Sequence, residues 1–210
     1  MRRGQIAIVF VVLVCFAFAC NSETGAKRQY VSEIEPEECN SIGSPENEYD
    51  QTEFFYVSER AVGEYEYHIF NREGDVVYCD LAYRLQPSIH VIDGYLVWIE
   101  VGVGTATTQV RFYDLDSDCL SRWYDTPRAA KDNLVILMEW DSEGKPVCSI
   151  REIFSGNLVG EFRREFSPVA NLGGALSEAE FLSDNRVRIN YLFGNDYLDM
   201  EEIICFESVN

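Results

Sequence analysis

The sequence predicts an all-β domain made of four repeated antiparallel units, and three observations support this prediction. From residue 54 onward, apolar and β-branched runs of four to seven residues are separated by turn sequences rich in Gly, Asn, Asp and Ser. Within this region two different patterns recur at matching intervals. One segment, Ala175–Leu182, is the exception, because its sequence ALSEAEFL favours a short helix.

The first recurring pattern is an apolar strand whose starting positions are separated by 42, 39 and 52 residues. Its four copies are Phe54–Ser58, Leu96–Glu100, Val135–Glu139 and Val187–Tyr191. The second pattern is an aliphatic residue or Cys followed by an aromatic residue, just before a turn. Its aromatic positions are Phe70, Tyr113, Phe154 and Phe206, separated by 43, 41 and 52 residues. Two patterns that keep the same spacing indicate one repeated unit of about 40 residues.

A unit of this size, made of several antiparallel strands, is typical of a propeller blade. The sequences Asp93–Trp98, Val110–Asp116 and Ser155–Val159 resemble degenerate blades of the WD40 or TolB-like kind. The resemblance covers roughly residues 53–207 and implies a small or incomplete β-propeller-like ring, although the Gly-His and Trp-Asp marks of WD40 repeats are missing from their usual places. The alternative is a twisted antiparallel sheet or a sandwich.

The fourth repeated unit is shorter than the others. Only four residues follow Phe206 in the sequence, so this unit is expected to lack its outermost strand. Either an N-terminal piece fills the edge or the array stays open. An open edge carries unpaired N–H and C=O groups and invites a partner strand.

The N-terminus predicts export. Arg2 and Arg3 precede the apolar run Ile6–Ala19, and small residues stand just before Cys20. The run is shorter than the roughly 20 residues that a spanning helix needs. Residues 1–19 are therefore expected to be a signal peptide. The sequence Ala17–Cys20 resembles the lipobox of bacterial lipoproteins, which implies that Cys20 carries lipid and anchors the chain, with Asn21 at the next position favouring the outer membrane. Ordinary signal-peptidase cleavage, which would leave Cys20 unmodified, is the alternative.

Residues 20–52 are expected to be an acidic, disordered tether, and residues 53–210 the folded domain. Eight acids and no Lys or Arg lie between Ser32 and Glu53, a composition that cannot bury enough surface to offset chain entropy. Export to an oxidising compartment predicts disulfides among the cysteines after the leader, with the pairing left open.

The net charge of −19 becomes −21 if a leader carrying Arg2 and Arg3 is removed. Such a surface repels nucleic acid at long range and favours a basic protein partner or a cation. Solubility alone is the simpler explanation of the charge.

Three acids at matching places in three units form the preferred binding hypothesis: Glu59, Glu100 and Glu139. If they end the innermost strands, they border the mouth of a central channel, where they would repel one another unless Arg60, Arg188 or a cation pairs with them. Trp123 and Tyr124 are expected to form an exposed aromatic contact, whereas Trp98 is expected in the core.

A second, metal-binding hypothesis concerns Asp114, Asp116, Asp118 and Asp125. They stand at positions 1, 3, 5 and 12 of a loop that resembles an EF-hand calcium site. Cys119 occupies the position where the EF-hand requires Gly, and the flanks read as strands, so a plain turn is the alternative. His68 and His90 lack a third ligand spaced nearby and are expected to be ordinary strand residues.

The sequence carries no catalytic motif, and no enzymatic activity is expected from it. The preferred interpretation is a membrane-anchored lipoprotein in the cell envelope, facing the periplasm or the cell surface. There its acidic domain would bind protein, as a scaffold or as an inhibitor or immunity-type protein. The alternative is a cation- or sugar-binding protein, or an enzyme, that uses the acids at the channel mouth.

Overall fold

Four antiparallel sheets, each built from strands that follow one another in the chain, make up the described part of the protein. The computed structural model describes residues 48–104, 107–183 and 185–206. Together these residues contain sixteen strands and one short 3-10 helix, Leu172–Ala175. The prediction of an all-β protein with four repeated antiparallel units is therefore confirmed.

The first sheet pairs its strands in chain order: β1 (Glu48–Gln51), β2 (Phe55–Ala61), β3 (Glu64–Phe70) and β4 (Val76–Tyr83). The second sheet contains five: β5 (Ser88–Ile92), β6 (Leu96–Gly104), β7 (Thr107–Asp114), β8 (Cys119–Leu120) and β9 (Tyr124–Asp125). Both β8 and β9 pair with β7.

The third sheet is formed by β10 (Ala129–Lys131), β11 (Leu134–Trp140), β12 (Pro146–Glu152) and β13 (Leu158–Phe162). The fourth has three strands: β14 (Leu176–Phe181), β15 (Arg186–Phe193) and β16 (Leu198–Cys205).

The recurring apolar runs occupy equivalent places, because they form the second strand of every sheet: β2, β6, β11 and β15. The aromatic pairs likewise fall at or just beyond the end of the third strand of each sheet. The expectation that Glu59, Glu100 and Glu139 end the innermost strands is wrong, because one strand precedes each of theirs in its sheet. Glu100 in addition lies in the middle of β6.

Each sheet packs against the next one in the chain. One apolar cluster joins the first and second sheets, a second joins the second and third, and the last joins the third and fourth. Among residues 48–104, 107–183 and 185–206 no such cluster joins the first sheet to the fourth, and no closed barrel or propeller ring is formed. The predicted alternative, a twisted antiparallel sheet or a sandwich, fits this arrangement.

Two local predictions are wrong. Ala175–Leu182 is not a helix, because Ala175 ends the 3-10 helix and Leu176–Phe181 forms β14, which pairs with β15 along its length. The folded domain begins before residue 53, because Glu48–Gln51 pairs with β2 as the first strand. The rest of the predicted tether and the predicted signal peptide lie outside the described residues, as does Cys20.

Four cysteines lie in the described part of the chain. Cys79 is disulfide-bonded and buried, whereas Cys119, Cys148 and Cys205 are free thiols. Burial raises the pKa of the Cys148 thiol to about 12. The number and pairing of the disulfides remain a prediction. Within the same residues, no helix has the length and apolar character required to cross a membrane.

Candidate functional site

A cleft of about 560 Å³ opens between the second sheet, the segment that leads into the third sheet, and the fourth sheet. We call it the cleft throughout. Five charged side chains line it: Glu100, Arg128, Glu178, Glu180 and Arg188. Its other walls come from Trp98, Pro127, Ser177, Ala179 and Asn190. No predicted site residue except Glu100 is among them.

The second-sheet wall is built by β6, where Trp98 and Glu100 are two residues apart and therefore lie on one face of the strand. The Trp98 Nε1–H donates to Glu100 Oε2 over 3.4 Å. The indole stacks with His90, the residue opposite it on β5, at a centroid distance of 5.6 Å, and meets Phe112 edge-on at 5.1 Å. Trp98 is only 8% exposed, as its predicted core role requires, so little of its ring remains for a ligand to stack on.

His90 belongs to the same wall and is held largely uncharged at neutral pH. Its partial burial lowers the pKa of the imidazole, and the Glu100 carboxylate opposes that effect. A neutral His90 adds no positive charge beside Glu100.

Arg128 supplies the opposite charge from the segment before β10. Its Nη2 donates to the Gly173 carbonyl over 2.7 Å. Burial lowers the pKa of this guanidinium, and Glu100 counteracts the shift. The Arg128 Nε atom is buried and has no hydrogen-bond partner among the described residues. A buried donor in this state destabilises the protein by about 1–3 kcal/mol, so the surroundings of Arg128 favour an added acceptor.

The fourth-sheet wall consists of cross-strand pairs on β14 and β15. Glu178 stands opposite Asn190, and Glu180 stands opposite Arg188. The Asn190 Nδ2 donates to Glu178 Oε2 over 3.1 Å, and the Arg188 guanidinium donates to the Glu180 carboxylate. The charge of Glu180 is thereby neutralised, whereas Glu178 is held by a neutral amide and keeps its charge available.

Of the three predicted acids, only Glu100 lines the cleft. Glu59 Oε1 accepts the Gly63 N–H over 3.0 Å at the β2–β3 turn. Glu139 accepts from Ser149 Oγ over 2.5 Å and from Arg151 Nε over 2.6 Å within the third sheet. Each of these two acids stabilises its own sheet, and Glu100 is left as the acid that reaches the cleft.

The predicted aromatic contact is also rearranged. Tyr124 is 2% exposed and its hydroxyl donates to the Ile153 carbonyl, so it is not the exposed side chain that the sequence predicts. Its ring packs between the second and third sheets. Trp123 is half-buried against the first cluster, with the Arg111 guanidinium 5.5 Å from its ring centroid. Neither residue lines the cleft.

The four aspartates of the predicted calcium loop each have a separate partner. Asp114 Oδ1 accepts the backbone N–H groups of Asp116 and Ser117 at 2.8 and 3.2 Å, as in a turn. The other three contact Arg72, Tyr113 and Gln109, through Asp116, Asp118 and Asp125 respectively. In the described part of the chain, no three His, Cys, Asp or Glu residues are arranged to hold a metal ion.

The chemistry of the cleft is that of hydrogen bonding and ion pairing. The Ser177 hydroxyl, which lines it, donates to the Asn190 carbonyl over 2.9 Å and not to a base. Sequence reasoning missed Arg128, Glu178 and Asn190. The alternation of Ser177, Ala179 and Phe181 with Glu178 and Glu180 was the available signal, but it is hidden when the segment is interpreted as a helix.

No protein-family model, no curated protein and no solved structure matches this chain.

Proposed function

We propose that this protein is an exported lipoprotein, anchored in the envelope through Cys20, whose acidic β-domain binds another protein. It would act as a scaffold or as an inhibitor or immunity-type protein. The observation that carries the proposal is the cleft, an open site lined by three acids and two arginines. Glu180 is already paired with Arg188, and the negative charge of Glu100 acts on the Arg128 guanidinium. Glu178 is therefore the carboxylate best placed to receive a cation.

The partner is expected to be basic. A Lys or Arg side chain that enters the cleft gains a charge-assisted hydrogen bond with Glu178. The net charge of −19 would in addition steer a basic protein toward this surface. Both contributions weaken as salt is added.

Binding is tested by titrating the full chain, with its natural leader processed, against proteins captured from envelope extract and then purified. Glu178→Gln is expected to weaken binding about tenfold or more, because a hydrogen bond to a charged group contributes about 1.5–3 kcal/mol. Glu73→Gln is the matched control, since it removes the same charge from an exposed turn far along the chain. Binding that is insensitive to salt and equal in both variants would contradict the proposal.

The anchor is tested separately. Mass spectrometry of the protein purified from membranes should find Cys20 as the first residue, with a lipid on its thiol. An unmodified thiol at that position, or a retained leader, would contradict the membrane-anchored part of the proposal and leave the binding part unaffected.

We also propose that the four sheets are the blades of an incomplete propeller. Each repeats the same strand order, and each packs on its successor. A high-resolution experimental structure tests this, because blades radiate around an axis, whereas sandwich layers do not.

A cation- or sugar-binding role is the second candidate, because Glu100 lies in the cleft beside Trp98. A thermal shift with calcium or with members of a glycan panel, lost in Glu100→Gln, would support it. The burial of Trp98 against His90 and Phe112 argues against a sugar stacked on the indole.

A further inference from the structure

Within the described residues, the fourth sheet has fewer strands than each of the other three. In the first and third sheets a fourth strand, β4 or β13, pairs with the third strand. In the second sheet β8 and β9 divide that role. Among the described residues no strand pairs with the outer side of β16, which therefore ends its sheet.

One hydrogen bond determines which residues of β16 bond to β15 and which point their backbone groups away from the sheet. The Phe206 N–H donates to the Asn185 carbonyl over 2.9 Å, and the pairing of β16 with β15 continues without irregularity from Cys205 to Leu198. Because an antiparallel strand alternates its hydrogen-bonding direction, the even-numbered residues bond to β15. The odd-numbered residues, Asp199, Glu201, Ile203 and Cys205, point their N–H and C=O groups away from the sheet.

The side chains of this edge are unusual for an unprotected strand. Leu198 and Ile203 are 53% and 56% exposed, and Tyr197 and Met200 are also exposed. Natural edge strands are usually short, bulged, or blocked by Lys or Pro. The strand β16 has eight residues, no bulge, no Lys and no Pro.

The charge of the edge is uniformly negative. Glu202 is held by the Arg164 guanidinium at 2.6 Å and by the Tyr191 hydroxyl. Asp199 and Glu201 are exposed, and they lie two residues apart on one face of the strand. A second copy of this chain would place the same acids against them, and like charges across a strand pair are destabilising.

We propose that β16 accepts an extended basic segment of a partner protein as a fourth strand. The added strand bonds to the outward groups of Asp199, Glu201 and Ile203. Its Lys or Arg side chains lie on the face that carries Asp199 and Glu201, and its apolar side chains cover Leu198 and Met200 on the opposite face. This inference rests on the proposed protein-binding function and names the surface and the kind of segment that it recognises.

The experiment uses the full chain and a fluorescent ten-residue peptide of alternating valine and lysine, with a valine–glutamate peptide as the charge control. We expect anisotropy titrations to show binding of the lysine peptide alone. Glu201→Pro removes one outward N–H and one acid and leaves the ladder to β15 intact, so the affinity should fall about tenfold or more. Glu201→Gln, which keeps the N–H, should lose less, and Glu73→Gln should lose nothing.

Amide hydrogen exchange provides a readout that does not depend on the proline variant. In the wild-type chain the amides of Asp199, Glu201 and Ile203 should exchange rapidly and become protected when the peptide is added. If these amides are already protected in the free chain, the inference is overturned, because the edge is then covered by the chain itself or by a second copy. Light scattering distinguishes the two, since a second copy doubles the mass.

The outcomes separate this inference from the proposed function. The lysine peptide could bind without protecting the β16 amides, and Glu178→Gln could abolish that binding. This result would overturn the added strand and support the cleft as the binding surface. A wild-type chain that binds neither the peptide nor any envelope protein in a salt-dependent way would overturn both.

Discussion

The two ends of the stack are held together differently. Where the first sheet meets the second, the interface buries polar groups. Asp80 is 2% exposed. Its carboxylate accepts hydrogen bonds from the Tyr78 hydroxyl at 2.7 Å and from the Leu81 backbone N–H at 2.8 Å. The Arg111 guanidinium lies over the Tyr78 ring, 4.9 Å from its centroid. Where the third sheet meets the fourth, the apolar cluster includes Tyr191, whose hydroxyl reaches Glu202 near the surface, and the buried acids Glu66 and Asp80 both belong to the first sheet.

The two interfaces therefore obtain their specificity by different means. A buried carboxylate tolerates few positions of the facing sheet, because it must keep its donors or bear the full cost of desolvation. An apolar interface depends on shape and area alone and tolerates small shifts. The first pair of sheets is thus fixed in geometry, whereas the last pair is held mainly by burial.

The largest effect is expected from weakening the apolar interface. Ile189 is fully buried between the third and fourth sheets. Ile189→Ala should lower the free energy of unfolding by about 2–5 kcal/mol, through lost burial and the cavity left behind. Urea denaturation measures this change. Ile203→Ala on the exposed side of the same sheet is the control and should change stability by less than about 0.5 kcal/mol. Equal effects would mean that the fourth sheet does not pack as described.

Two hydroxyl deletions test the polar contacts of the two interfaces. Tyr78→Phe removes a donor from the buried Asp80 carboxylate and should destabilise the protein by about 1–3 kcal/mol. Tyr191→Phe removes a donor from Glu202, which keeps Arg164 as partner, and should cost less than about 1 kcal/mol. Both variants are compared by denaturation at neutral pH. A larger loss of unfolding free energy in Tyr191→Phe than in Tyr78→Phe would contradict the conclusion that polar contacts fix the first interface more than the last.

The smallest effect is a dependence on alkaline pH. Burial, the hydrogen bond to Glu202 and its charge raise the pKa of Tyr191 to about 12, and burial with Asp80 raises the pKa of Tyr78 further. Because the folded state holds these protons more tightly than the unfolded state, their contribution is fully present below pH 10. It is lost as the pH rises from 10 through the folded-state pKa. Stability should therefore decline above pH 10, and less steeply in Tyr191→Phe and Tyr78→Phe. If stability declined equally steeply with pH in the wild type and in both variants, the two tyrosines would not be the cause of the decline.

The repeat could be predicted from the sequence because spacing survives where residue identity does not. Val135 and Val187 are buried at equivalent places of β11 and β15, as their spacing from Leu96 indicates. The segment Leu176–Phe181 could not be predicted, because its Ala, Leu and Glu residues favour a helix locally. Pairing with β15 and burial of Leu176 outweigh that preference.

The cleft was predicted only at Glu100, for a physical reason. Glu59, Glu100 and Glu139 occupy equivalent places in the repeats, but Glu139 accepts a hydrogen bond from Arg151 and Glu59 accepts one from the backbone N–H of Gly63. Arg128 and Glu178 lie about 50 residues apart and meet only after the sheets have stacked. Tyr124 was expected outside because its neighbours Arg122 and Asp125 are charged, whereas an alternating strand turns its ring inward.

The serial packing of the sheets has a consequence for folding. Each layer is assembled from strands that follow one another in the chain and shares an apolar cluster with the next layer, so much of the packing is local in sequence, which favours rapid assembly. Energetics of this kind are nearly one-dimensional, with each layer stabilised by its neighbours. Among the described layers the fourth has the fewest strands and shares an apolar cluster with the third alone, so it should open first: native-state exchange is expected to show its interior amides released well before global unfolding.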